Sequence, residues 1–344
     1  MNEIRTIEPF IRLGERLAEE LLDGTIEPVI RRSEAENPWF SRANVVSAIQ
    51  AICTDMLDGR NLGSWLARYP AAGRPSDETV GIVMAGNIPL VGFFDLLCVL
   101  ICDRRCLIKP SSKDRVLIGH IVDLLREIEP RFSIGALEGK VPDRLIASGS
   151  DEARRHFASV YPDTPSLLRG HRYSVAVLSG QESDRQLDGL YDDVFSYFGL
   201  GCRNVSRIFV PRGYDLRRLC RRLSARPITH TGYLNNYRQA RAMRLLSGTE
   251  FIDGGFFLMR PGADKEGPLS EIACTSYESV GSVERLLRER DREIQCVVSA
   301  TLDHPRRGDF GQAQHPSLTD YPDGIDVMEF LLAGSPAPAD RRQL

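Results

Sequence analysis

The stretch TVGIVMAGNIPL, residues 79–90, contains a β-branched strand that runs directly into a polar loop. An apolar helix is predicted next, within residues 88–102. The same order of strand, polar loop and helix recurs over 106–125, with KPSSKD as the loop, and from residue 144 onward, with SGSDEARR as the loop. This repetition predicts a parallel α/β sheet, and ligands bind such sheets at the carboxyl ends of the strands.

The composition is that of an ordinary globular protein. The chain has 344 residues, 42% of them hydrophobic and 26% charged, so we expect two or three lobes with large cores. The net charge of -3 gives no reason to expect nucleic acid as a partner. The longest apolar run, 88–102, is too short for a membrane span and contains Asp95. Eight cysteines without a signal peptide indicate a cytoplasmic protein with reduced thiols.

The loops after the predicted strands suit a nucleotide. Gly86 and Asn87 precede one helix and Gly149 and Ser150 precede another, and helix N-termini favour phosphate. The alternative is that Gly149 and Ser150 only cap a helix. Lys109 follows a short strand and is interpreted either as a ribose or phosphate ligand or as a solvated lysine.

A second chemical signal is the stretch FGLGCRNVSRIFV, residues 198–210, which sets Cys202 behind two glycines. Substrate and backbone donors can approach a thiol in such a turn closely, as a nucleophilic cysteine requires. Cys98, Cys102 and Cys106 are interpreted as small buried hydrophobes, because no histidine or fourth cysteine lies at a usual zinc spacing. We therefore expect no metal site.

Five segments occur in the order found in the aldehyde dehydrogenase superfamily: GIVMAGNIPL, LIKPSSKD, ASGS, FGLGCRNVSRIFV and HPSLTDYPDGIDVMEFL. Over residues 76–332 the chain resembles that superfamily, and more closely the acyl-CoA reductases of the bacterial luminescence type, which reduce fatty acyl groups to aldehydes. The resemblance implies an aldehyde-dehydrogenase-like α/β fold with a Rossmann-like cofactor domain and an α/β catalytic domain.

The resemblance also implies a division of the chain into four segments. They are an N-terminal helical segment packed on the cofactor domain (1–75), the NAD(P)-binding domain (76–172), the catalytic domain (173–301) and a C-terminal segment that serves oligomerisation (302–344).

Specific roles follow from the same resemblance. Cys202 matches the nucleophile, and Asn87 matches the asparagine that forms the oxyanion hole with the backbone N–H of the cysteine. Lys109 matches the lysine that contacts the adenosine ribose. Gly149 and Ser150 match the pair beside the cofactor pyrophosphate.

Two departures from the family pattern matter. Leu168 or Arg169 stands where hydrolytic members carry a water-activating glutamate, which favours thioester chemistry over acid production. Ser112 stands where many NAD-preferring members carry a glutamate, which favours NADPH and leaves NADH open. Glu266 and Glu271 both lie near the family's later ribose-binding glutamate.

The sequence thus predicts an NAD(P)H-dependent reduction of acyl-CoA, a fatty one, to aldehyde through an acyl-cysteine thioester. The expected partners are acyl-CoA, a protein that activates or transfers the acyl group, and further copies of the chain. The alternatives are a CoA-acylating aldehyde dehydrogenase acting on small aldehydes, a reductase of acyl phosphates, and a catalytically silent scaffold homologue.

The stretch HTGYLNNY, residues 230–237, also resembles a segment of the luminescence-type reductases. It suggests a substrate entry lined by His230, Asn235 and Tyr237. The alternative is a hydrogen-bonded surface loop.

Overall fold

The computed structural model describes residues 2–263 and 267–333, with side chains from residue 6 onward. The chain divides into two compact units. Unit 1 comprises the residues up to His171 together with those from Ser317 onward. Unit 2 comprises Arg172–Pro316 and is inserted between the two parts of unit 1.

Helices and strands alternate along most of the chain. The strands are β1 (Thr79–Val83), β2 (Arg105–Lys109), β3 (Ile134–Ala136), β4 (Arg144–Ser148), β5 (Ser166–Arg169), β6 (Tyr173–Val177), β7 (Val205–Pro211), β8 (Ile252–Asp253), β9 (Leu258–Pro261), β10 (Glu271–Tyr277), β11 (Ile294–Val298) and β12 (Arg307–Gly308). The α-helices are α1 (Asn2–Asp23), α2 (Glu27–Glu36), α3 (Arg42–Ala51), α4 (Gly59–Leu66), α5 (Phe93–Ile101), α6 (Arg115–Ile128), α7 (Asp151–Val160), α8 (Asp184–Phe195), α9 (Leu216–Leu223), α10 (Thr231–Ser247), α11 (Val280–Glu289) and α12 (Val327–Leu332).

Unit 1 contains a five-stranded parallel sheet in the order β3-β2-β1-β4-β5. Helix α5 is buried along its whole length, which explains its continuous apolar sequence. Cys98, Cys102 and Cys106 are fully buried in this core. The strand–loop–helix repetition therefore folds as predicted, and the chain has the α/β architecture expected from the sequence.

Unit 2 contains a seven-stranded sheet in the order β12-β11-β6-β7-β10-β9-β8, in which only β8 and β9 pair antiparallel among the described strands. The sequence over 251–259 predicts a single strand, and this expectation is wrong, because the chain forms the two strands β8 and β9 there. Gly254 and Gly255 lie between them, and Gly255 has a φ of 84°, which a larger side chain rarely adopts. The Gly254 N–H donates to the Phe257 carbonyl at 2.9 Å and closes this turn.

The residues after 316 return to unit 1. Val327, Met328 and Leu331 of α12 are fully buried in the core that contains α5. Residues 302–316 belong to unit 2, and residues 334–344 of the predicted C-terminal segment lie outside the described residues.

A polar network anchors this returning segment. Trp65 Nε1 donates to the Tyr321 hydroxyl at 2.8 Å, and the Tyr69 hydroxyl donates to Asp326 Oδ2 at 2.5 Å. The hydroxyls of Tyr69 and Tyr321 are also hydrogen-bonded to each other. These bonds connect the N-terminal helices to the residues that precede α12.

Among the helices of residues 2–263 and 267–333, none combines the length and the apolar character that crossing a membrane requires.

Candidate functional site

Five candidate cofactor and catalytic residues of unit 1 lie at the carboxyl edge of its sheet. Strands β2, β1 and β4 are parallel neighbours, so their carboxyl ends meet at one edge. Lys109 ends β2, and Asn87 follows β1. Ser112 follows β2, and Gly149 and Ser150 follow β4. Of these five residues only Gly149 is not largely exposed.

The loop that carries Asn87 packs closely on the loop after β2. A Cβ atom added to Gly86 would lie 2.4 Å from Ser111 Oγ, so glycine is needed for this approach. Leu90, in the same loop, has a φ of 58°, an unusual backbone conformation for a branched side chain. The loop is thus held in a conformation that other contacts must stabilise.

Asp114 supplies one of those contacts. Its Oδ2 accepts the Leu90 N–H at 2.8 Å, while its Oδ1 is buried without a partner in the described part of the chain. Burial raises the pKa of Asp114 to about 8, against which the Leu90 hydrogen bond acts. The sequence analysis missed this residue, because nothing in KPSSKD indicates that its last carboxyl turns back to the neighbouring loop.

The Gly149–Ser150 pair begins helix α7. Ser150 is the N-cap, and its Oγ accepts the Ala153 N–H at 3.2 Å, while a role of the pair beside a cofactor stays a prediction. The Gly149 N–H donates to the Arg169 carbonyl at 3.3 Å, which ties this loop to the end of β5.

Arg169 and Asp95 form a buried ion pair at the same edge of the sheet. Arg169 Nη1 donates to both carboxylate oxygens of Asp95, at 2.9 and 2.7 Å, and to Ser148 Oγ at 3.2 Å. Both side chains are only 6% exposed. Arg169, which with Leu168 is one of the two residues that the resemblance aligns with a water-activating glutamate, is thus engaged by a buried carboxylate.

Cys202 differs from the other cysteines in its exposure. All eight cysteines lie in the described residues and are thiols, and Cys202 alone is exposed. Burial raises the pKa of Cys53 to about 11 and the pKa values of Cys102 and Cys274 to about 12. At neutral pH those thiols are protonated and out of reach of substrate.

The turn before Cys202 has an unusual backbone. Tyr197, Phe198 and Gly199 have φ values of 51°, 58° and 74°, so three successive residues adopt the left-handed conformation. Two of them carry aromatic side chains, for which this conformation is unfavourable by about 1–2 kcal/mol each. The turn therefore persists because surrounding interactions hold it.

Asn204 is the buried residue that makes those interactions. Its Oδ1 accepts the Gly201 N–H at 2.8 Å. Its Nδ2 donates to the carbonyls of Asp193, Val194 and Ser196 at 3.2, 3.2 and 2.9 Å. One side-chain amide thus joins the end of α8 to the residue before Cys202. Asn204 lies in the stretch 198–210, but the sequence alone does not indicate this role.

The predicted substrate residues lie on α10, a helix where a polar loop was the alternative. His230 is its N-cap, with Nδ1 accepting the Tyr233 N–H at 3.2 Å. The His230 ring stacks on Phe198 with 4.4 Å between ring centroids, which brings it to the turn that precedes Cys202.

Asn235 and Tyr237 make local contacts instead. Asn235 Oδ1 accepts from Arg238 at 3.0 Å, and the Tyr237 hydroxyl donates to Asp253 Oδ1 at 2.7 Å. Burial and the Asp253 hydrogen bond raise the pKa of Tyr237 to about 12. The Tyr237 bond attaches α10 to β8, whereas the Asn235 bond lies within α10, and a role of either side chain in substrate binding stays a prediction.

Glu271 belongs to an ion cluster. It accepts hydrogen bonds from Arg244 at 2.9 and 2.8 Å and forms an ion pair with Arg260 at 2.7 Å, and its side chain is 1% exposed. Glu266 lies outside the described residues.

Comparisons with known proteins rest on structure alone. No family model matches the sequence, and no curated protein matches it either. Among solved structures, an oxidoreductase from Marinobacter aquaeolei has 14% sequence identity and a TM-score of 0.65, over 91% of this chain and 79% of that one. A Mycobacterium tuberculosis aldehyde dehydrogenase complexed with NAD+ has 14% identity and a TM-score of 0.63, over 88% and 74%.

A Pseudomonas syringae aldehyde dehydrogenase complexed with NAD+ and octanal has 12% identity and a TM-score of 0.63, over 88% of this chain and 73% of that one. At these identities the likeness concerns the fold. The chain has the fold of the aldehyde dehydrogenases, with a Rossmann-like parallel sheet in unit 1 and a second sheet in unit 2.

Proposed function

We propose that this protein reduces an acyl-CoA, a fatty one, to the aldehyde through an acyl thioester on Cys202, with NADPH as the reductant. The observation that carries the proposal is the exposure of Cys202 in a rigidly held turn, while the other cysteines are buried or half-buried. Covalent catalysis requires a thiol that the substrate can reach.

The first step is acyl transfer to sulfur. The Cys202 thiolate attacks the thioester carbonyl, the C–S bond to CoA breaks, and CoA leaves as the thiolate. The oxyanion formed during the attack requires donors already in position, each contributing on the order of 3 kcal/mol. We assign these donors to the Cys202 N–H and to the amide of Asn87.

Survival of the acyl group supports reduction over hydrolysis. An acyl thioester is hydrolysed when a base activates water beside it. Neither residue that the resemblance aligns with that base, Leu168 or Arg169, is a carboxylate, and Arg169 is engaged by Asp95 at 2.7 Å. The acyl thioester on Cys202 can then persist until a hydride is transferred to it.

The carboxyl edge of the unit 1 sheet fits a nicotinamide dinucleotide. Lys109, Ser112 and Ser150 are exposed there, and their ammonium and hydroxyl groups suit ribose and phosphate oxygens. Asp151, the nearest carboxylate to Ser150 in sequence, accepts the His171 N–H at 3.2 Å. When bound, the cofactor supplies the hydride that reduces the acyl thioester. Lys109, Ser112, Gly149 and Ser150 would hold it.

The proposal is tested by trapping the acyl group. The full-length protein is mixed with acyl-CoA thioesters of increasing chain length without cofactor, and the modified residue is identified by peptide mass spectrometry. We expect a hydroxylamine-sensitive adduct on Cys202, and addition of NADPH should convert it to aldehyde.

Two variants control this experiment. Cys202→Ala should abolish both the adduct and acyl-dependent NADPH oxidation, whereas Cys53→Ala, which removes a half-buried thiol, should leave both unchanged. An adduct on another residue, or aldehyde formation by Cys202→Ala, would exclude the covalent mechanism. Aldehyde from short acyl chains only would redirect the proposal to small substrates.

A further inference from the structure

The backbone around Cys202 is restrained at three successive peptide groups. The Gly201 N–H donates to Asn204 Oδ1 at 2.8 Å, which fixes the peptide between residues 200 and 201. The Gly201 carbonyl accepts the Asn204 N–H at 3.0 Å, which fixes the next peptide. The Cys202 carbonyl accepts from Ser174 Oγ at 2.9 Å, which fixes the third.

The second of these restraints determines where the Cys202 N–H points. A trans peptide is planar, and its N–H lies antiparallel to the carbonyl of the same peptide group. Because the Gly201 carbonyl is directed at Asn204, the Cys202 N–H is directed to the opposite side. An oxyanion donor contributes only if its direction is set before the reaction.

The side chain of Asn204 stabilises the backbone conformation that directs the Cys202 N–H. It is 4% exposed, and its two Nδ2 hydrogens are shared among three carbonyls in the last turn of α8 and just beyond it. Two of these carbonyls, of Asp193 and Val194, belong to the last turn of α8, where no following N–H of the helix is left to bond them. The amide thus anchors the left-handed turn to a regular element.

Ser174 connects the same turn to the sheet. It belongs to β6, is fully buried, and its Oγ accepts the Cys296 N–H of β11 at 3.2 Å while donating to Cys202. Cys202 is thus an exposed residue whose neighbouring backbone is held by two buried polar side chains.

We propose that Asn204, assisted by Ser174, is a positioning residue that aims the Cys202 N–H at the oxyanion formed during acyl transfer. The inference rests on the proposed role of Cys202 as acyl acceptor. Neither side chain touches the substrate, since both are buried and act through the backbone of residues 201 and 202.

Two reagents separate positioning from simple access to the thiol. Acylation of Cys202 by p-nitrophenyl acetate displaces p-nitrophenolate through a tetrahedral oxyanion, whereas alkylation by iodoacetamide displaces iodide without one. We expect Asn204→Ala to slow acylation about a hundredfold and alkylation by less than about threefold, as a misdirected catalytic group does. Peptide mass spectrometry assigns each modification to Cys202.

Further variants complete the test. Ser174→Ala should slow acylation about tenfold with alkylation little changed, and it carries the test if Asn204→Ala fails to fold. Ser299→Ala removes a different fully buried side chain of unit 2, whose Oγ donates to the Val177 carbonyl at 3.0 Å, and should change neither rate.

The outcomes are distinguishable. Equal slowing of acylation and alkylation, or no change in either, would overturn the positioning role. Absence of Cys202 acylation in the unaltered protein would instead remove the acyl-acceptor function on which the inference rests.

Discussion

The proposed preference for NADPH over NADH depends on a single side chain, that of Ser112. Ser112 and its neighbour Lys113 are both exposed in the loop after β2. The 2′-phosphate of NADPH is tolerated beside a serine and repelled by a carboxylate. A single negative charge at the correct position should therefore reverse the preference.

We predict that Ser112→Glu raises the KM for NADPH by about tenfold or more and lowers the KM for NADH, since tenfold corresponds to about 1.4 kcal/mol. Steady-state rates with each cofactor give the answer. Lys113→Glu changes the charge of the adjacent exposed residue and should shift the ratio less. If both variants shift it equally, general surface charge rather than the ribose site is responsible.

Candidate site residues could be proposed from the sequence, whereas the residues that hold the backbone of the site could not. Cys202 and Asn87 occur in recognisable segments, where residue type and neighbours indicate their chemistry. Asn204 and Asp114 act on backbone N–H groups whose directions depend on positive φ values, including that of Leu90. Such directions exist only in the folded chain, so no sequence pattern reports them.

At the scale of elements, Asp114 couples the start of α6 to the loop that carries Asn87. Its carboxyl has a pKa raised from 3.8 to about 8 by burial. A carboxyl group whose pKa is higher in the folded than in the unfolded protein stabilises the fold fully at pH values below its unfolded pKa. This stabilisation is lost as the pH rises through the folded pKa. The loop should thus be held more firmly at pH 5 than at pH 9.

We predict that unfolding free energy, measured with urea, falls by about 1 kcal/mol or more between pH 5 and pH 9 because Asp114 ionises. Asp114→Asn keeps an acceptor for the Leu90 N–H but carries no charge, so its decline should be smaller. Asp123→Asn, an exposed change on the same helix, controls for the loss of one charge. An unchanged slope in Asp114→Asn would show that the pKa of this carboxyl is not raised on folding.

Strong periodicity made some elements predictable. The sequence predicts a strand over 271–277 and a helix over 216–223, and β10 and α9 have those bounds. The strands predicted over 79–84, 106–108 and 144–147 differ from β1, β2 and β4 by one residue at one or both ends. The short strands β3 and β5 were missed, because three or four residues give too little alternation to recognise. Helix α10 was not predicted, because its first residues are polar and aromatic. The structure shows that it begins after the N-cap His230.

At the scale of the whole molecule, unit 1 depends on residues far apart in the sequence. Tyr321 receives a hydrogen bond from Trp65 of α4 and shares another with Tyr69, which follows that helix. Phe94 of α5 packs against the Tyr321 ring with 6.0 Å between centroids. The segment after residue 316 is therefore a structural component of unit 1.

We predict that Tyr321→Phe lowers the unfolding free energy by about 1–3 kcal/mol, because the ring packing is retained but buried partners lose their bonds. Tyr161→Phe removes a hydroxyl of unit 1 that makes a single bond of 3.4 Å to Lys140, and should cost less than about 0.5 kcal/mol. Equal effects of the two substitutions in urea unfolding would contradict the stabilising role of the network.

The insertion of unit 2 within unit 1 also sets an order of events during synthesis on the ribosome. Unit 2 is complete in the nascent chain once Pro316 has emerged, whereas unit 1 still lacks α12. Until Val327 and Met328 appear, the apolar surface of α5 that they cover stays open. Unit 1 is thus completed only after unit 2 has been synthesised. A translational pause before residue 327 would lengthen the time during which the apolar surface of α5 is exposed to chaperones and to aggregation.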